Sequence, residues 1–124
     1  MAAATKLAWL EQRLEDSACD VVALQELEGS MQALRRLRRW LLRRGYAAAV
    51  LPGKGAVNGV AVAWREDTVA LQGNAIAVAE RALAVRLTRL ADGREFGVAA
   101  LHGLHGQEDA CCDQLRTVRR WLLT

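Results

Sequence analysis

The run Asp20-Val-Val-Ala-Leu-Gln-Glu26 constrains this chain more than any other stretch. Its five central residues read as a buried strand, and a carboxylate stands where that strand must end. A strand apolar on both faces is the mark of a parallel sheet covered on both sides, and ligands of such folds gather at the carboxyl ends of the strands. Glu26 is therefore a candidate site residue.

The elements around this run alternate. Leu7, Leu10 and Leu14 recur at helical spacing with Trp9 beside them and Glu11, Arg13 and Glu15 opposite, predicting a helix over about residues 5–16. After the strand, Glu28-Gly-Ser30 opens a second helix that runs to Arg44 and stops at Gly45. Apolar runs at 46–51 and 59–64 flank Pro52-Gly-Lys-Gly55 as two strands, and a third short strand is expected over 67–71. From Arg81 the pattern alternates, with Leu83, Val85 and Leu87 on one face and Ala84, Arg86 and Thr88 on the other. Asp92-Gly93 turns this strand into Phe96-Gly-Val-Ala-Ala-Leu-His102 as an antiparallel hairpin. A last helix begins near Gln107 and carries a stripe of Cys111, Leu115, Val118 and Leu122. It reaches the final residue without a cap or breaker, so the expectation is one incomplete mixed α/β domain over residues 1–124.

Composition narrows the class. With 124 residues, 52% hydrophobic and 25% charged, the chain is long enough for one soluble domain and unlike a disordered segment. One Pro and six aromatic residues leave the core to Ala, Val and Leu. The net charge of +3 and pI near 9.1 tolerate an anionic partner without demanding one. Arg35, Arg36, Arg38, Arg39, Arg43 and Arg44 fall within ten residues. The inward stripe of Leu34, Leu37 and Leu41 favours reading them as the solvated back of a helix, with phosphate contact as the alternative. Three Cys, two of them adjacent, make a poor disulfide framework, and no secretory signal is evident, so an intracellular, reducing compartment is expected. No run of about 18 uncharged apolar residues marks a membrane span.

His102 closes an apolar strand as Glu26 closes another. A carboxylate and an imidazole at neighbouring strand ends suit metal-assisted phosphodiester hydrolysis: a hard cation takes oxygen ligands and neutralises phosphoryl charge, while His relays a proton near neutral pH. The order of elements, the Leu24-Gln25-Glu26 triplet and the Arg94-to-His102 segment resemble the front part of the endonuclease/exonuclease/phosphatase superfamily, the group of deoxyribonuclease I and exonuclease III. The resemblance implies a partial deoxyribonuclease I-like sandwich, one sheet with flanking helices. It implies that Glu26 binds Mg²⁺ (or Mn²⁺), that His102 stands beside the leaving group, and that Arg81 lies near the phosphate.

Departures bear on activity. The family's first strand, bearing an Asn that helps bind metal, and its later Gly-Asp-x-Asn and Ser-Asp-His segments are absent from this sequence. A catalytic set that acts as a unit loses orders of magnitude in rate when members are missing, so these 124 residues are expected to be inactive alone. They are also expected to associate with themselves or a partner through an exposed apolar sheet face. The phosphate-ester substrate stays open among DNA, RNA, a phospholipid and a nucleotide, and the rival reading is a noncatalytic α/β protein-interaction module. Gly53-Lys-Gly-Ala-Val-Asn-Gly59 matches neither nucleotide-loop pattern. His102-x-x-His105 with Cys111-Cys112 does not complete a zinc site.

Overall fold

The computed structural model describes residues 3–53, 59–79, 82–102 and 108–122. In chain order the elements are α1 (Ala3–Ser17), β1 (Val21–Leu27), α2 (Met31–Leu42), β2 (Tyr46–Leu51), β3 (Gly59–Arg65), β4 (Val69–Ala79), β5 (Ala82–Arg89), β6 (Glu95–Leu101) and α3 (Glu108–Leu122). The mixed α/β sandwich is the expected fold class, but its strands divide between two antiparallel sheets, ordered β1-β3-β2 and β4-β5-β6, rather than forming one. A tight turn at 66–68 lifts the chain from one layer to the other. There Thr68 N donates to Arg65 O at 3.2 Å and Leu90 N to Thr68 O at 2.9 Å.

The parallel pairing expected of the Asp20–Glu26 strand is not found. β1 runs antiparallel to β3, with Val21 opposite Trp64 and Leu24 opposite Ala61. Apolar residues on both faces of a strand signal two covered faces, not a strand direction.

The period of two sorts the side chains. Val60, Val62 and Trp64 of β3 point inward to meet Leu83, Val85 and Leu87 of β5 in one core between the sheets. Ala61 and Ala63 of β3 lie in the opposite row, where Ala48 and Ala63 are small enough to admit Leu10 and Leu14 of α1 and Leu41 of α2. On the other side, α3 rests on the second sheet. Gly97 of β6 permits this, since a Cβ there would stand 2.8 Å from Leu122 and 3.3 Å from the Trp121 ring. Arg86 Nη2 donates to Trp121 O at 2.9 Å. Of the stripe expected on α3, Val118 is buried and Leu122 reaches Gly97, but Leu115 is half exposed.

The layers are thus helices, sheet, sheet, helix. The inner faces of the two sheets, which an isolated single sheet would leave exposed, pack on each other.

Candidate functional site

The hydrogen-bond register places the two candidate residues. Val98 and Ala100 of β6 belong to the inward row packed in the core, and His102, two residues on, continues it to the rim between the sheets. Its side chain is 8% exposed.

Glu26 arrives by a different device. Strict alternation would put it in the row of Val22 and Leu24, which pack toward the helices. The pairing of β1 with β3 slips between Leu24 and Leu27, where three steps along β1 answer two along β3 from Ala61 to Gly59. The extra residue is a β-bulge, a feature that re-aims a side chain. Glu26 itself holds a left-handed backbone with φ +55°, a conformation that costs a non-glycine residue about 1–3 kcal/mol. Gly59 makes room: a Cβ there would lie 3.0 Å from Glu28 O and 3.1 Å from Leu27 O.

As a result Glu26 Oε1 stands 4.0 Å from His102 Nε2, with the carboxylate 69% exposed beside a nearly buried imidazole. The pair joins one strand from each sheet. Nearby, Ser30 Oγ donates to Glu28 Oε1 at 3.4 Å and accepts from Ala33 N at 3.2 Å, so the loop leaving Glu26 is tied into the start of α2. Arg81, the third site residue expected, lies outside the described residues, as do His105 and residues 54–58 of the glycine-rich loop.

Among the described residues no three His, Cys, Asp or Glu side chains gather as a ready metal cage. Mg²⁺ is commonly held by one or two carboxylates, with its other positions on water and substrate phosphate. Glu26, exposed and swung to the rim, fits as one such ligand.

A separate groove of about 470 Å³ runs along the opposite side of the sandwich, bounded by Met31, Arg38 and Leu42 of α2, Ala49 of β2, Trp64 and Leu71. Neither Glu26 nor His102 lines it.

The fold has counterparts among solved structures. The human Nocturnin catalytic domain with bound sulfate anion matches with a TM-score of 0.67 at 21% identity, over 94% of this chain and 51% of that one. ANGEL2, a 2',3'-cyclic phosphatase, in complex with adenosine-2',3'-vanadate, matches at 0.70 and 19% identity, over 87% of this chain and 35% of that one. A humanized D. rerio TDP2 matches at 0.68 and 20% identity, over 92% and 50%. All three are endonuclease/exonuclease/phosphatase proteins. This chain has the fold of that superfamily. It spans between about a third and about half of the length of each of these structures. No family model matches the sequence, and no curated protein does.

Sequence reasoning missed the bulge and the part played by Gly59 in this superfamily fold. Gly59 was legible as the first residue of the 59–64 strand and the last of a glycine-rich turn, not as the neighbour of a bulge in another strand. The signal that would have found it is a glycine opening an otherwise unbroken apolar strand.

Proposed function

We propose that this chain is part of a Mg²⁺- or Mn²⁺-dependent phosphoric ester hydrolase domain of the endonuclease/exonuclease/phosphatase type, with Glu26 and His102 in its reaction centre. The observation that carries the reading is the 4.0 Å approach of Glu26 Oε1 to His102 Nε2 across two separate sheets. Glu26 would hold the ion, which when bound neutralises charge on the phosphoryl group. His102 is walled in by protein on most sides, so the imidazole has a fixed orientation from which Nε2 can pass a proton to a leaving oxygen at the rim. The 2',3'-cyclic phosphatase bound to adenosine-2',3'-vanadate and the catalytic domain bound to sulfate favour a phosphate ester of nucleotide type as substrate. Arg81 would contact that phosphate.

With one carboxylate and one imidazole to orient ion, water and ester, the 124 residues alone are expected to lack measurable hydrolysis. Metal binding tests the reading without activity. Titrating Mn²⁺ calorimetrically into the wild-type chain should give a heat that Glu26→Gln abolishes and His102→Gln retains. Superimposable wild-type and Glu26→Gln curves would remove the metal site.

A further inference from the structure

The sequence Met31-Gln-Ala-Leu-Arg-Arg-Leu-Arg-Arg-Trp-Leu-Leu42 of α2 contains no acidic residue. A helix surface that is merely solvated mixes signs, because Glu or Asp one turn from Arg stabilises it and like charges at that spacing destabilise it. α1 follows that rule, with Glu11, Arg13, Glu15 and Asp16 interleaved. α2 does not. Leu34 and Leu41 are buried against the sheet, and at 3.6 residues per turn Arg35, Arg36, Arg39 and Arg43 fall on the opposite side, all exposed. Arg35 with Arg39, and Arg39 with Arg43, repeat the same charge one turn apart.

Counter-ions from elsewhere do not relieve them. Arg44 donates to Glu11 Oε1 at 3.1 Å and lies 3.9 Å over the Trp40 ring, while Arg38 borders the groove on the far side of the helix. The guanidinium groups of Arg35, Arg36, Arg39 and Arg43 have no ion-pair partner among the described residues. The ridge is all Arg, and a guanidinium can fork onto two phosphate oxygens where an ammonium is a point charge.

We propose that the outer ridge of α2, formed by Arg35, Arg36, Arg39 and Arg43, binds the phosphate backbone of nucleic acid. Two features select this polyanion over other acidic surfaces. Leu34, Leu37, Trp40 and Leu41 of α2 are turned to the first sheet and the exposed Met31 and Leu42 border the groove, so the arginine ridge itself presents no continuous apolar face to sink into a bilayer, as interfacial helices do. The four arginines also enclose no apolar side chain of the kind that forms the centre of a protein interface. Contact through charge alone reads no bases, so the binding is insensitive to sequence and strongly weakened by salt.

The experiment is fluorescence anisotropy of a labelled oligothymidylate and of its duplex with oligoadenylate. The full chain is used in EDTA, where the Glu26 reading plays no part, so the two proposals fail separately. Binding of either probe should fall steeply between about 50 and 200 mM salt. Replacing Arg35, Arg36, Arg39 and Arg43 together by Gln should weaken low-salt binding at least about tenfold and flatten the salt slope by about 3, at about 0.7–0.9 per phosphate contact. The fourfold Arg→Lys variant should keep most of the slope, which separates lost charge from a disturbed fold, and thermal melting of both variants checks that α2 stays in place. Absence of binding to both probes, an unchanged slope in the Gln variant, or binding confined to phosphatidylserine vesicles would each overturn the proposal.

Discussion

Glu26 keeps a backbone angle that glycine would adopt without strain. Glu26→Gly should therefore raise stability by about 1 kcal/mol, while Glu26→Gln, still left-handed, should leave it nearly unchanged. Urea denaturation of the two variants checks this, and a destabilised Gly variant would mean that the strain is not there. Gly59→Ala is expected to act in the reverse direction. Its Cβ would press on backbone oxygens at 3.0 and 3.1 Å, which cannot swing aside as a side-chain tip can. A loss of about 1–3 kcal/mol, with a weaker Mn²⁺ heat, is the expected outcome, since the same oxygens flank the bulge that carries Glu26.

At the scale of elements, the β5–β6 turn is held by Asp92, whose carboxylate pairs with the Arg89 guanidinium and accepts from Arg94 N at 3.1 Å. The hydrogen bond from Arg89, aided by that backbone N–H, lowers the Asp92 pKa from 3.8 to about 2. A carboxylate held below its unfolded value stabilises the fold fully above the unfolded pKa and ceases to do so as pH falls through the folded one. The wild type should accordingly lose melting temperature between about pH 4 and pH 2 faster than Asp92→Asn, and the gap between them should close at the acid end. Element boundaries were largely legible. Ser30 accepts from Ala33 N as the N-cap of α2 and Gly45 has φ +86°, so both ends of that helix were written in residue types with one dominant local preference. β4 was not. It was expected over 67–71 but runs to Ala79, because Gln72-Gly-Asn74 reads as a turn while the chain uses Gly73, at φ +67°, inside an irregular stretch of the ladder. The division into two sheets was hidden for a related reason: a three-residue turn between strands fixes their succession, not which layer each joins.

For the whole molecule, the approach of Glu26 to His102 was foreseen as a meeting of strand ends, whereas the bulge that produces it has no signature in Leu24-Gln25-Glu26 itself. What decides it is a residue about 30 positions later in the sequence, in the partner strand. The reason is general to sheets: local sequence specifies a strand, and pairing specifies where its side chains go. The far end of the same sheet is fastened by different means. Tyr46 Oη donates to Cys19 O at 2.6 Å, Arg65 Nη2 donates to Tyr46 Oη at 3.0 Å, and Thr68 Oγ1 donates to Asp20 Oδ1 at 2.9 Å. One end of the first sheet is therefore clamped by polar ties and the other is left to the bulge.

That asymmetry has a mechanical corollary. The carboxylate and the imidazole sit on separate leaves, and the interior that sets their spacing is built from Val60, Val62, Leu83, Val85 and Leu87. The chain passes from one leaf to the other at the 66–68 turn, where Leu90 N donates to Thr68 O, so at the opposite margin the gap between Glu26 and His102 becomes a gauge of side-chain volume many residues away.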